Sequence, residues 1–203
     1  MSVLRKGGWG IMTLLAFGVA GYATALVLVP GTRGDFQLGM LDRSPVLAHL
    51  HFLGGAIALV TGALQFHAGL RRARPVIHRW TGRVYLLGVG AGGVAALWLA
   101  TETPGGPAAR FGFGMLAVLW LWSTSVALKA ILGGNVAAHR QWMIRSYALT
   151  LAAVTLRFQL PMAMSNGLSF EMAYPAIAWL CWVPNLVFAE WILMRDRKLP
   201  VAA

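Results

Sequence analysis

The sequence predicts an all-α membrane protein, a single integral membrane domain over residues 1–203 that forms a bundle of six transmembrane helices. Of its 203 residues, 58% are hydrophobic and only 11% are charged, whereas soluble domains carry about a quarter charged residues. The apolar residues fall into six runs, each close to the ~20 residues that cross a bilayer. No run alternates with the period of two that a membrane barrel requires, so helices are expected.

The six predicted spans cover most of the chain and are joined by short loops. We place them at residues 9–29, 47–66, 85–101, 113–132, 142–164 and 174–194. Pro184 lies near the centre of the sixth span, where a proline frees the carbonyl one turn earlier and usually kinks the helix. The neighbouring Asn185 carries a side-chain amide that could bond such a carbonyl.

The net charge of +11 is distributed among the loops between the spans, which does not indicate a nucleic-acid-binding surface. Basic residues concentrate in segments that fall on one side of the membrane if the spans alternate: Arg5, Lys6, Arg71, Arg72, Arg74, Arg79, Arg83, Arg140, Arg145, Arg195, Arg197 and Lys198. Cytoplasmic loops of membrane proteins carry such an excess of Lys and Arg. We therefore expect a multi-pass protein of a bacterial inner membrane, with both termini cytoplasmic, lipid contacts and no nucleic-acid partner.

Two stretches that lie 61 residues apart resemble each other. Residues 52–78 run into H-R-W-T-G-R-V-Y, and residues 113–139 run into H-R-Q-W-M-I-R-S-Y. With a one-residue insertion, the stretches correspond at four positions: His78 with His139, Arg79 with Arg140, Arg83 with Arg145 and Tyr85 with Tyr147. This indicates an internally duplicated helical hairpin, formed by spans two and three and by spans four and five. It would place the two histidines at the same depth on neighbouring helices.

Two imidazoles from separate helices can hold a b-type haem between them. His78 and His139 are the natural axial pair. Four nearby arginines could bind the haem propionates by charge-assisted hydrogen bonds: Arg79, Arg83, Arg140 and Arg145. A non-haem metal site of His67, His78 and His139 is an alternative, because three imidazoles are a normal metal shell. The plainest alternative is that these residues are interfacial anchors and no cofactor is bound.

His51 and Gln65 lie at the two ends of a stripe of small residues in span two. Gly54, Ala58 and Gly62 are four residues apart and form a flat face. Close helix packing of the small-xxx-small kind is the first interpretation. A groove for a flat ring or a quinone tail is the second interpretation. His51, Gln65 and Arg157 would then line the bundle interior, and Asn185 of span six is a further candidate lining residue.

Arg157 lies deep in span five, and Glu190 lies near the cytoplasmic end of span six. A charge at such depth is by default a functional-site hypothesis, here for an anion or a quinone carbonyl. The structural alternative is a pair of Arg157 with Glu102 or Glu171. For Glu190 we expect an ion pair with an interfacial arginine: Arg83, Arg140 or Arg145.

Several runs resemble a bacterial family of predicted membrane proteins of unknown function: H-F-L-G-G, H-R-W-T-G-R-V-Y, H-R-Q-W-M-I-R-S-Y and W-L-C-W-V-P-N-L-V-F-A-E. More distantly, the layout is similar to six-helix transmembrane b-type cytochromes. That resemblance implies two haems, held by histidines of the second with the fourth helix and of the third with the fifth. His78 and His139 match the cytoplasmic position. For the outer position His51 is suitable, but Gly112 stands where its partner would be, so at most one complete site is expected.

We therefore expect a haem b protein that exchanges electrons with a quinone or a small reductant at the cytoplasmic side. No catalytic acid, nucleophile or phosphate loop is recognisable, so an enzyme of this sequence would be a membrane oxidoreductase. Two alternatives stay open. The chain could be a cofactor-free subunit or assembly factor of a larger respiratory or photosynthetic complex, or a small transporter with its site at the Pro184–Asn185 break. A larger membrane redox complex and a second copy of the chain, in a homo-oligomer, are possible partners.

Overall fold

The computed structural model describes the backbone of residues 3–198 and the side chains of residues 7–195. All regular elements in that part of the chain are helical: α1 (Val3–Leu28), a 3-10 turn (Pro30–Thr32), α2 (Asp35–Arg43), α3 (Pro45–Gln65), α4 (Ala68–Ala73), α5 (Pro75–Glu102), α6 (Gly106–Leu132), α7 (Val136–Thr150), α8 (Ala152–Ser165), α9 (Phe170–Leu180) and α10 (Val183–Lys198). The all-α prediction is confirmed for these residues. Four side chains used to predict the orientation lie outside the described ones: Arg5, Lys6, Arg197 and Lys198.

Five helical stretches in the described part of the chain are long and apolar enough to cross a bilayer: Gly7–Leu28, Pro45–Gln65, Pro75–Glu102, Gly106–Leu132 and Phe170–Arg195. The prediction of several membrane-spanning helices is therefore confirmed. The remaining predicted span, 142–164, is divided between α7 and α8, which have 15 and 14 residues, fewer than the ~20 that a span needs. The count of six spans stays a prediction.

The division between α7 and α8 lies at Leu151, whose backbone keeps right-handed helical angles. Just before it, the Thr150 hydroxyl donates to the Ser146 carbonyl oxygen at 3.0 Å, a type of bond that often bends helices. Just after it, the Val154 amide donates to the Leu151 carbonyl oxygen at 2.9 Å, a tighter i to i+3 turn. The chain therefore continues in the same helical sense with a local distortion.

The third predicted span differs most from the structure, because α5 begins at Pro75, ten residues before the predicted start at Tyr85. The intervening segment holds His78, Arg79 and Arg83, whose polarity led us to exclude it from the apolar run. Proline suits the first position of a helix, where its missing N–H is not needed. The polar start of α5 is thus an extension of the apolar helix.

The chain divides into two compact units, one ending at Thr103 and the other beginning at Pro104. In the first unit, α3 packs against α1 and α5. In the second, α6 packs against α7 and α9, and α10 packs against α7. Each unit therefore contains one of the two hairpins expected from the sequence, α3 with α5 or α6 with α7. That the whole chain is a single domain stays a prediction.

Glycines bring α3 and α5 into backbone contact. A Cβ built on Gly54 would lie 2.7 Å from the Gly88 carbonyl oxygen and 2.7 Å from the Gly92 amide nitrogen. Ala58, one turn further along α3, is fully buried. The small-residue stripe is thus a helix-packing surface, as its first interpretation predicted. The second interpretation, a groove for a quinone tail, is wrong for this face because α5 covers it.

We predict that Gly54→Ala weakens the protein while Gly55→Ala does not. The new methyl group at position 54 must push α5 away, and overpacking of this kind costs about 1–3 kcal/mol. Gly55 is its neighbour in the same helix, and a Cβ there meets nothing within 4 Å. The measurement is the temperature at which the detergent-solubilised protein loses its monodisperse elution peak. Equal temperatures for the two variants would show that the glycine contact is not needed.

Candidate functional site

His78 is the fourth residue of α5 and is reached by Gln65, the last residue of α3. Gln65 is only 8% exposed. When its amide oxygen accepts from the Thr81 hydroxyl at 2.6 Å and from the Gly82 N–H at 3.2 Å, its amide nitrogen donates to His78 Nδ1 at 2.8 Å. This orientation satisfies the whole amide, whereas the opposite one sets its oxygen 3.3 Å from the His78 carbonyl oxygen. Because Nδ1 accepts, the ring proton of neutral His78 is on Nε2.

His139 is likewise the fourth residue of its helix, α7, and it is also held by the preceding helix of its hairpin. Its Nδ1 lies 2.9 Å from the Ala127 carbonyl oxygen of α6. A carbonyl can only accept, so Nδ1 donates and Nε2 keeps its lone pair. Backbone carbonyls orient metal-binding histidines in this way. His139 therefore fits an axial ligand as it stands, and His78 fits when the Gln65 amide turns over.

Both histidine helices carry an arginine stacked on a tryptophan. The Arg83 guanidinium lies 4.7 Å from the centre of the Trp80 ring, and the Arg145 guanidinium lies 4.6 Å from the centre of the Trp142 ring. The spacing is three residues in each case, which makes the two side chains neighbours on one helix face. The stacking was not predicted from the sequence, although the two tryptophans keep the same spacing to Arg83 and Arg145.

The tyrosines that follow are buried in both helices. Tyr85 is 0% exposed and Tyr147 is 2% exposed, so both lie in the cores of their units. In each unit a histidine near the start of the helix is held by the first helix of its hairpin, an arginine then stacks on a tryptophan, and a tyrosine marks the point where the helix enters the core. These shared contacts are what an internal repeat would produce.

The four arginines proposed for haem propionates differ in their surroundings. Arg145 donates from Nε and Nη2 to the two carboxylate oxygens of Glu190 on α10, at 2.5 and 2.9 Å. The ion pair expected for Glu190 is therefore confirmed, and it joins α7 to α10. Arg79, Arg83 and Arg140 are exposed. Since a carboxylate already occupies the Arg145 guanidinium, Arg79 and Arg83 are better placed to bind an added anion.

His51 and Gly112 are the two residues that the resemblance to b-type cytochromes assigns to a second haem. His51 Nδ1 lies 3.2 Å from the Gly92 carbonyl oxygen, so its ring is directed at the contact between α3 and α5. A Cβ on Gly112 would lie 3.0 Å from the Ala178 carbonyl oxygen of α9. The absence of a side chain at position 112 thus has a structural reason, the close approach of α6 and α9.

His67 has a capping role. It precedes α4, and its Nδ1 accepts a hydrogen bond from the Leu70 amide at 2.9 Å. Within residues 7–195, no group of three His, Cys, Asp or Glu side chains is placed to hold a metal ion. The geometry therefore gives no support to the three-histidine alternative.

The break between α9 and α10 is a consequence of Pro184. Proline has no N–H to donate to the carbonyl four residues earlier, that of Leu180. Gln159 of α8 fills this gap, since its Nε2 donates to the Leu180 carbonyl oxygen at 3.1 Å. The sequence suggested that the Asn185 amide could bond such a carbonyl, but Asn185 bonds the neighbouring Cys181 carbonyl oxygen and leaves that of Leu180 to Gln159. Gln159 was missed because it is 21 residues away in sequence, and nothing local to the proline indicates it.

Asn185, which follows the break, forms side-chain hydrogen bonds across it and to α8. Its Nδ2 donates to the Cys181 carbonyl oxygen at 3.0 Å and to the Thr155 hydroxyl of α8 at 2.9 Å. The amide is thus used to join α8 and α10. This bonding favours a structural role for Asn185 over the transporter site considered from the sequence.

Arg157 is half-buried in α8, and its Nη1 donates to the Ala153 carbonyl oxygen of the same helix at 2.8 Å. Glu102, one acid proposed as its partner, accepts from the Ser44 hydroxyl and from the Trp98 indole, each at 2.9 Å. The bond from Ser44 ties the end of α5 to the start of α3, and the bond from Trp98 lies within α5. A ligand role for Arg157 stays a prediction.

We predict that Gln159→Leu destabilises the protein by about 1 kcal/mol, because it leaves the Leu180 carbonyl unpaired in an apolar environment. Pro184→Ala should remove most of that cost, since an alanine N–H can bond the same carbonyl. The measurement is a double-mutant cycle on unfolding of the protein in mixed micelles, with an expected coupling of about 0.5–1.5 kcal/mol. Additive effects would contradict the role given to Gln159.

The sequence matches a family described as "Predicted membrane protein (DUF2306)" over residues 48–193, most of the chain. The matched region contains both histidine helices and Glu190. The family resemblance seen in the motifs is thereby confirmed, whereas the resemblance to b-type cytochromes stays a prediction. No curated protein and no solved structure matches the chain.

Proposed function

The chain belongs to this family of predicted membrane proteins of unknown function, and we propose that it is a haem b protein of the bacterial inner membrane. It would exchange electrons with a quinone or a small reductant at the cytoplasmic side. His78 and His139 are the proposed axial ligands. Arg79, Arg83 and Arg140 are the proposed propionate partners, with Arg145 shared with Glu190.

One observation carries the proposal: His139 Nδ1 is bonded to the Ala127 carbonyl oxygen. The ring is thereby fixed with its Nε2 lone pair available to a metal. His78 has the same place at the start of its helix, and Gln65 decides which of its nitrogens carries the proton. If the Gln65 amide turns over, its oxygen accepts from Nδ1–H and Nε2 becomes a ligand atom.

A bound haem supplies one-electron transfer. The residues of this chain would hold and tune it: the Ala127 carbonyl keeps His139 in one tautomer, and the guanidinium groups offset the negative charge of the propionates. Arg157, half-buried in α8, is the proposed contact for an anionic or quinone oxygen.

The proposal includes six spans, an internally duplicated hairpin and cytoplasmic termini. The arginines between α3 and α5 and those at the start of α7 support this orientation, because both segments lie on one side when six spans alternate. The helical angles at Leu151 support counting α7 with α8 as one span.

We predict opposite labelling of two introduced cysteines in a Cys181→Ala background. Gly31→Cys, after α1, should react with a membrane-impermeant maleimide in intact spheroplasts, whereas Gly133→Cys, after α6, should react only after lysis. Neither glycine has a positive φ, and neither position is crowded, so both substitutions are tolerable. The reverse pattern, or equal labelling before lysis, would contradict the proposed topology.

We predict that protein purified from haem-replete cells has a Soret band, with sharp α and β bands after reduction by dithionite. His139→Ala and His78→Ala should each abolish the bis-histidine spectrum, because each removes one axial ligand. The matched control is His49→Ala, since that imidazole bonds only within its own helix, to the Pro45 carbonyl oxygen at 2.6 Å. Its spectrum should be that of the unsubstituted protein.

Gln65→Glu sharpens this test. A carboxylate only accepts, so it should hold the proton of His78 on Nδ1 and raise haem retention, whereas Gln65→Leu should not. A colourless preparation of the unsubstituted protein would favour the rival function, a cofactor-free subunit or assembly factor of a larger complex.

A further inference from the structure

The connection between α3 and α5 carries a dense group of positive charges. Arg71 and Arg72 belong to α4, Arg74 joins α4 to α5, and Arg79 and Arg83 lie in the first turns of α5. We call these five residues the α4 arginine cluster. No Asp or Glu occurs in residues 66–85, so the segment supplies no counter-charge of its own.

The rest of the described chain does not neutralise the cluster either. The side chains of Arg71, Arg72, Arg74 and Arg79 are exposed and form neither a hydrogen bond nor an ion pair with any described residue. Arg83 likewise has no hydrogen bond or ion pair to a described residue, and the Trp80 ring on which it stacks cannot balance its charge.

Other arginines are engaged by protein groups. Arg145 is paired with Glu190. Arg33, after α1, donates to the carbonyl oxygens of Leu26 and Val27 at 2.7 and 2.9 Å. Arg43 and Arg195 also form neither a hydrogen bond nor an ion pair with a described residue, but they lie far apart in sequence, whereas the α4 cluster brings five such arginines together within residues 71–83.

The backbone that carries the cluster is held in place. His67 caps α4 through Leu70, and the centre of its ring lies 4.9 Å from that of Trp9 on α1. The Trp9 indole donates to the Ala63 carbonyl oxygen at 3.1 Å. At the other end of α4, the Arg74 amide donates to the Leu70 carbonyl oxygen at 2.8 Å. An anion would therefore meet arginines whose main chain is already ordered.

Electrostatics favours an anion at this place. Arg79 and Arg83 are four residues apart on one helix face, where like charges repel. The cluster also surrounds the start of α5, which has no acidic residue in its first turn and bears the positive end of the helix dipole. The planar guanidinium donates two parallel hydrogen bonds and matches phosphate oxygens.

The position of α4 identifies the source of the phosphate. It joins two helices that are each long and apolar enough to span the membrane, so it lies at the bilayer surface. Trp80, 59% exposed beside the cluster, is the kind of aromatic residue that settles at head-group depth. We propose that the α4 arginine cluster is a binding site for the head-group phosphate of an anionic phospholipid. Arg71, Arg72 and Arg74 form its centre and take no part in the proposed haem site.

The test is the retention of phosphatidylglycerol by the full chain, measured by native mass spectrometry after titration into detergent micelles. Phosphatidylglycerol should be retained in preference to phosphatidylcholine. The triple variant Arg71→Gln, Arg72→Gln, Arg74→Gln should lower the affinity for phosphatidylglycerol by about a hundredfold, at roughly fivefold for each arginine at an anionic surface. Inorganic phosphate at the same concentration should not displace the lipid.

A matched control removes the same three charges elsewhere, with Arg43→Gln, Lys129→Gln and Arg195→Gln, and should keep the affinity of the unsubstituted protein. Three results would overturn the proposal: equal losses in the two triple variants, equal retention of the two lipids, or displacement by inorganic phosphate. The last would identify a free anion, and not a membrane lipid, as the ligand. Elution of both variants as monodisperse peaks excludes misfolding as the cause.

Discussion

The structure depends on one constraint: inside a bilayer, polar backbone atoms must find partners within the protein. In a regular helix the backbone N–H and C=O groups bond each other. Where the chain departs from regularity, a side chain supplies the missing bond, as Gln159 does for the carbonyl that Pro184 leaves without a donor. Where two helices approach closely, a glycine leaves out the Cβ that would otherwise clash, as Gly54 does against α5. The same residues that keep the backbone satisfied therefore decide how the helices pack.

The constraint also shapes the candidate site. In each unit a histidine near the start of a helix is bonded by a group of another helix, and the group differs between the units. The Ala127 carbonyl oxygen accepts from His139, whereas the Gln65 amide donates to His78. A backbone carbonyl cannot change its role, but an amide can turn over. His139 is thus the fixed ligand of the proposed pair and His78 the adjustable one.

Much of the fold and part of the site could be predicted from the sequence. Apolar runs located the spanning helices, and opposite charges at the end of span six and the start of span five led to the contact between Glu190 and Arg145. The start of α5 at Pro75 was missed because the composition of a polar helix end resembles that of a loop. The bond from Gln159 to Leu180 was missed because it depends on how α8 is rotated against α9, and an apolar helix does not reveal its rotation. The arginine–tryptophan contacts were within reach, since their spacing repeats, but only coordinates show the stacking.

Electron paramagnetic resonance of the oxidised protein tests the central claim most directly. If His78 and His139 share one iron, protein from haem-replete cells should give a low-spin ferric signal typical of two imidazole ligands, and His139→Ala should remove it. A high-spin signal that is indifferent to both histidines, or no ferric signal in a folded and monodisperse preparation, would contradict the account.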